Sequence, residues 1–182
     1  MWSAYIYYAE EMKETIVNKV KKSPLITFNL EEYYTEGERI LLDIKDQLFR
    51  GLILRERDFR AFVKAQDWSQ YEGKYVAITC SADAIVPMWA YMLLATKLEP
   101  YAAYVCFGTL DQLEVELFKQ ALSKIDLSQF EQKPVVIKGC SNKPVPIAAY
   151  VEITRLIRPY ARSIMYGEPC STVPLYKKPR KQ

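Results

Sequence analysis

The sequence contains no histidine among its 182 residues. Histidine is the commonest general base, the usual partner of a nucleophilic serine or cysteine, and a frequent metal ligand. Its absence excludes these three forms of chemistry. Any reaction or metal site in this protein must therefore use thiols, carboxylates, lysine, tyrosine or backbone groups.

Glycine and long apolar runs are also scarce. With only 6 glycines, the chain has no glycine-rich phosphate loop, Walker signature or nucleophile elbow, so we expect no nucleotide cradle. No apolar run approaches the ~20 residues of a membrane span, and the N-terminus lacks the basic and apolar regions of a signal peptide. We therefore expect a cytoplasmic protein with no membrane partner.

Charge of one sign is not in clear excess. Lys and Arg number 25 against 22 Asp and Glu, which gives a formal net charge of +3, and much of that excess lies in a basic tail at 177–182. Without a basic face, no nucleic-acid partner is expected. The composition, 50% hydrophobic and 26% charged, is typical of a soluble globular protein.

We expect one α/β domain over residues 12–176. It is preceded by an N-terminal extension, residues 1–11, for which disorder is one expectation, and followed by the basic tail. Because 13% of the residues are aromatic, there is room for an aromatic contact between two copies. A homodimer is accordingly one of the expectations.

An internal repeat organises the chain. Residues 59–108 match residues 118–167 at an offset of 59, with 18 identities in 50 positions once a one-residue gap is allowed. Unrelated segments of average composition would share roughly 3. Two duplicated halves of order αβαβ, about 52–108 and 111–167, are therefore predicted.

Each half contains the same sequence of structural signals. A short, β-branched apolar run, typical of a strand buried on both faces, precedes a polar loop that ends in Val-Pro, and proline favours the first turn of a helix. The predicted strands are 75–79, 103–107, 134–138 and 162–166, and the predicted helices are 87–98, 110–124 and 146–157. Such alternation predicts an α/β fold with a mainly parallel sheet and helices on both faces. Nearer the N-terminus, 11–22 is predicted as a helix and 25–30 and 40–44 as strands.

The repeat also sorts the four cysteines. Cys80 and Cys140 each follow an equivalent predicted strand, and Cys170 follows the last one. Because ligands of open α/β sheets bind beyond the carboxyl ends of the strands, we expect these three thiols to share one rim. Cys106 aligns with Met165 inside a strand, which predicts a packing residue.

Three thiolates on one rim suit Zn²⁺ or an iron–sulfur cluster, because soft sulfur donors select these metals over Mg²⁺ or Ca²⁺. The predicted ligands are Cys80, Cys140 and Cys170. Asp83, three residues after Cys80, is the nearest candidate for a fourth ligand, with Glu168 as a second option.

Two other interpretations remain open. The chain could be a sulfur-transfer or redox enzyme with Cys140 or Cys170 as nucleophile, in which case the following helix and a nearby Lys138 or Lys143 would lower the pKa of the thiol of Cys140. It could also be a non-catalytic interaction module whose cysteines are structural, since Cys followed by Ser is common in a simple capping turn.

Several segments of the chain are familiar: Ile16 to Val20, Asp43 to Lys45, Gly51 to Leu54, Cys80 to Pro87 with Trp89 to Tyr91, Lys138 to Ser141 and Tyr166 to Pro174. Through them the chain resembles a bacterial family of uncharacterised proteins known as domain of unknown function 2480. The resemblance spans about 12–178 and implies no established activity. Genes of this family often neighbour the sulfur-mobilisation operon, so the resemblance implies an accessory role beside iron–sulfur cluster assembly proteins.

Overall fold

The computed structural model describes residues 24–139 and 142–179. Within them lie seven strands, β1 to β7, in chain order Ile26–Asn29, Arg39–Asp43, Tyr75–Thr79, Tyr104–Phe107, Pro134–Lys138, Ser163–Glu168 and Ser171–Lys177. The four α-helices of the same residues, α1 to α4, are Glu56–Ala65, Met88–Leu98, Leu110–Ser123 and Ile147–Ile157. The predicted helix 11–22 and the extension 1–11 lie outside the described residues.

The predicted elements that fall on the described residues are confirmed within a residue or two at each end. Strands β3 and β5 have the predicted bounds, and α2 and α4 each begin one residue after a proline, Pro87 or Pro146, that serves as the N-cap. The reason is local: proline has no N–H to lose at this position and its fixed φ suits the start of a helix. A helix long and apolar enough to cross a membrane does not occur between residues 24 and 139 or between 142 and 179.

The α/β class with parallel strands is confirmed, but the strands form two sheets where one was expected. One sheet has the order β2-β3-β4 and is entirely parallel. The other has the order β1-β5-β6-β7, in which only β7 is antiparallel to its neighbour. The first strand of the described residues, β1, therefore joins the strands of the later half of the chain.

Helix α3 explains why there are two sheets. It carries two apolar stripes whose centres are about 140° apart around the helix, because 3.6 residues per turn place successive residues about 100° apart. One stripe, Leu113 and Leu117, packs on Ala77 of β3. The other, Phe118 and Leu122, belongs to the core of the second sheet. The helix is thus shared by two sheets and separates them.

The strand β3 shows how the first sheet is covered on both faces. Its side chains alternate, as those of any strand do. Val76 and Ile78 face the core formed with α1 and α2, whereas Ala77 faces α3. Every one of these three side chains is buried, which accounts for the continuous apolar run that predicted the strand.

An ion pair holds α3 against the first sheet. Arg39, the first residue of β2, donates from Nε to Glu114 Oε1 at 2.5 Å, and the two side chains are only 11% and 16% exposed. The guanidinium also donates to the carbonyl oxygens of Gly37 and Thr35. The same arginine therefore fixes both α3 and the link that leads from β1 to β2.

We predict that Glu114→Gln lowers the free energy of unfolding by about 2–3 kcal/mol, because it leaves the poorly hydrated Arg39 without its counter-charge. Urea unfolding at neutral pH measures this loss. The matched control is Glu116→Gln on the same helix, which breaks an exposed pair with Lys119 and should cost under about 0.5 kcal/mol. Equal losses in the two variants would contradict the role given to Arg39 and Glu114.

Candidate functional site

The structure places two of the predicted thiols beyond the carboxyl ends of strands, as the sequence predicts. Cys80 directly follows β3 and is half-buried, while Cys170 lies in the turn between β6 and β7 and is exposed. Both are free thiols. Cys140 lies outside the described residues.

These two thiols follow strands of different sheets, so sheet topology does not make them neighbours. Asp83 is exposed in the loop that follows Cys80. Among residues 24–139 and 142–179, no group of three or more Cys, Asp or Glu is arranged to hold a metal ion. The predicted metal set therefore stays a prediction.

The loop after Cys80 is tied to the neighbouring strand by a carboxylate that sequence reasoning missed. Asp43, the last residue of β2, accepts from the backbone N–H of Ser81 at 3.1 Å and from its hydroxyl at 2.5 Å. It also accepts from the backbone N–H of Lys45 at 3.0 Å. The available signal was its position, since a polar residue that ends a strand beside β3 lies at the same edge of the sheet.

These contacts keep Asp43 ionised. Partial burial by itself raises the pKa of the carboxyl, but the hydrogen bonds from Ser81 and Lys45 and the charge of Lys45 outweigh it, so the pKa lies below its ordinary value. The folded protein thus holds a negative charge beside the residue that follows Cys80.

Tyr91 completes this edge of the first sheet. Its pKa is raised, first by burial and then by its proximity to Cys80 and Asp43. Its ring packs edge-on against Phe107 at a centroid distance of 5.1 Å. The site therefore contains a thiol, a carboxylate and a phenol that stays protonated at neutral pH. We call Asp43, Cys80, Ser81 and Tyr91 the Cys80 rim.

The second sheet has a comparable carboxylate. Glu31, in the short 3-10 helix after β1, accepts through Oε1 from the backbone N–H of Asn142 at 2.9 Å and of Lys143 at 3.3 Å. These residues belong to the loop after β5. The two sheets therefore share one arrangement. An acidic side chain at or just after the end of a neighbouring strand, β2 or β1, accepts hydrogen bonds from the loop that follows β3 or β5.

A tyrosine also recurs in the second sheet. Tyr150 of α4 packs edge-on against Tyr166 of β6 at 5.9 Å. Its hydroxyl lies so close to Gly139 that any Cβ at that position would collide with it. Beside it, Lys138 Nζ lies 3.4 Å from Glu168 Oε2. We call the ends of β5 and β6, with the turn that carries Cys170, the Cys170 rim.

Cys106 has the surroundings of a packing residue. It lies within β4, is half-buried, and packs against the cluster of Ala77, Leu113 and Leu117. Burial, followed by the nearby Glu116 carboxylate, raises the pKa of its thiol. Such a thiol is a poor nucleophile and a poor metal ligand at neutral pH.

Comparison with known proteins gives one match. A family model described as protein of unknown function (DUF2480) matches residues 14–178. No curated protein and no solved structure matches the chain.

We predict that Asp43→Asn lowers the free energy of unfolding by about 1–2 kcal/mol at neutral pH, since it replaces hydrogen bonds to a charged group by weaker ones. The pKa of this carboxyl is lower in the folded protein than its ordinary value. Its stabilising effect is therefore present above the unfolded pKa and lost as the pH falls through the folded pKa.

The gap in unfolding free energy between wild type and Asp43→Asn should thus narrow in acid. Urea unfolding in steps from pH 7 to about pH 3 measures it. Asp83→Asn, which changes an exposed carboxylate of the same loop, is the control and should show no such gap. A gap that is independent of pH would rule out the ionised Asp43 as its source.

Proposed function

Since this chain belongs to the family of proteins of unknown function (DUF2480), we propose a function from its own residues: it binds Zn²⁺ or an iron–sulfur cluster through cysteine thiolates. The observation that carries the proposal is the position of Cys80 and Cys170, two free thiols beyond the carboxyl ends of parallel strands. That edge is where α/β folds bind their ligands.

The proposed ligands are Cys80, Cys140 and Cys170, with Asp83 as the carboxylate candidate. Strands β5 and β6 are neighbours in one sheet, and in the sequence Cys140 comes two residues after β5. Cys140 and Cys170 are therefore the pair that sheet topology favours for a shared ion. Cys80 follows a strand of the other sheet, where hydrogen bonds to Ser81, the next residue, fix the carboxylate of Asp43.

We further infer that the two halves arose by duplication, so that each supplies one thiol-bearing rim. The order α1-β3-α2-β4 recurs as α3-β5-α4-β6. Strands β5 and β6 and helix α4 each begin 59 residues after β3, β4 and α2. This offset is the one found in the sequence repeat of about 52–108 and 111–167.

The proposed role is that of an accessory to iron–sulfur cluster assembly proteins in the cytoplasm. A reducing compartment keeps thiols free and available to soft metals. The near-balanced charge of +3 supports protein partners over nucleic acid.

We predict that protein purified without oxygen carries near-stoichiometric Zn, or Fe with acid-labile sulfide. Metal analysis with an absorption spectrum measures this on the wild type and on Cys80→Ser, Cys140→Ser and Cys170→Ser. Loss of metal in the last two with retention in Cys80→Ser would place the site at the Cys170 rim; loss in all three would place all three thiols on one site.

The matched control is Cys106→Ser, because Cys106 is packed inside β4. This variant should keep its metal. Wild-type protein that is colourless, free of metal and unable to take up Zn or a cluster on reconstitution would overturn the proposal.

The second candidate is sulfur transfer or redox chemistry by a reactive cysteine, and the exposure of Cys170 favours it. We predict that iodoacetamide labels Cys170 faster than Cys106, whose thiol is half-buried and has a raised pKa. Mass spectrometry of labelled protein at several pH values measures both rates. A Cys170 or Cys140 thiolate titrating well below the ordinary range near 8.5 would favour the enzyme, and inert thiols throughout would favour an interaction module.

A further inference from the structure

A large apolar surface surrounds the N-terminal half of α2. Its members are strongly exposed although each is a large hydrophobic side chain, and we call them the α2 patch: Leu52, Ile53, Ile85, Met88, Met92 and Phe107. Exposure ranges from 45% at Ile53 to 79% at Met88. Scattered apolar side chains are normal on a protein surface, but a contiguous group of this size marks an interaction site.

Backbone contacts join three members of the patch, and sequence spacing and one ring contact place the others near them. Ile53 and Ile85 form a parallel β-bridge, and the backbone N–H of Ile85 donates to the carbonyl oxygen of Leu52 at 3.0 Å. Met88 follows three residues later, and Met92 lies one helical turn further along the same face. Phe107 joins through its ring contact with Tyr91 of α2.

The composition of α2 points to a partner on this face. Lys97 is its single charged residue. A helix that is apolar on all sides is normally buried on all sides, yet Met88 and Met92 are 79% and 68% exposed. Helix α4, its counterpart, exposes Ile147 and Val151 but places the bonded pair Glu152 and Arg155 on its surface.

The exposed area of the α2 patch is close to the area that one subunit buries in a dimer interface. With 45–79% of each of six large residues exposed, the α2 patch offers on the order of 800 Å², which exceeds the largest patch of a typical monomer and matches the share of one partner in a standard interface. A surface of large apolar side chains suits a homodimer, because homodimer interfaces are more apolar than those of transient complexes.

From these observations we propose that the α2 patch is the interface of a homodimer, formed by the same patch of a second copy across a twofold axis. A twofold axis beside the midpoint between Met88 and Met92 brings each of these residues onto the other in the partner copy. Such a contact is self-complementary, as a twofold interface requires. Flexible methionine side chains can adjust to pack across it.

The test is the mass of the full chain in solution, by light scattering after gel filtration from about 1 to about 100 µM, a range that covers ordinary dimer affinities. We expect the wild type to have twice the mass of the 21.2 kDa chain. The double variant Met88→Glu with Met92→Glu should be monomeric at every concentration, which corresponds to a dimer Kd at least about 100-fold higher than that of the wild type.

The matched control is Ile147→Glu with Val151→Glu, which makes the same change at the equivalent positions of α4, where the side chains are 81% and 63% exposed. It should remain dimeric. A monomeric wild type, a dimeric α2 variant, or loss of the dimer in both variants would each overturn the proposal. Circular dichroism reports folding; if the glutamate variant is unfolded, Met88→Gln with Met92→Gln replaces it and should weaken the dimer in the same direction.

Discussion

The architecture depends on α3 serving two cores at once. Its stripe of Leu113 and Leu117 covers the first sheet, and its stripe of Phe118 and Leu122 enters the core of the second. Apolar burial alone is non-directional and would not set the angle of the helix between the two. The pairing of Arg39 with Glu114 supplies direction, since it joins β2 to α3 while the same guanidinium holds the carbonyl groups of the preceding link.

With the two sheets fixed in this way, each rim is built by the same means. A carboxylate at or just after the end of β2 or β1, Asp43 or Glu31, accepts from the backbone N–H of the loop that follows the neighbouring strand, β3 or β5. A tyrosine from the following helix, Tyr91 or Tyr150, packs against an aromatic residue of the next strand. The carboxylates satisfy loop donors that would otherwise lack partners, and in the first sheet this fixes the backbone beside Cys80.

Local elements could be predicted from the sequence because their determinants are local. The β-branched runs of β3 and β5 and the prolines before α2 and α4 act within a few residues. The division into two sheets could not, because the second stripe of α3 has the same periodicity as an ordinary helix face. Strand β7 was missed because Pro174 and its exposed residues resemble a loop; proline is tolerated there because β7 is an edge strand.

The sheet division also reshapes the candidate site. Neighbouring parallel strands are about 4.8 Å apart, and thiolates that share a zinc ion at ~2.3 Å have sulfur atoms within ~4 Å of each other, which is the spacing that the proposed pair of thiols after β5 and β6 would need. The strands beside β3 offer no second cysteine at their carboxyl ends, because β2 ends in Asp43 and β4 in Phe107. Cys80 therefore lies beside a carboxylate and a phenol, and the two rims, though similar in construction, present different groups to a ligand.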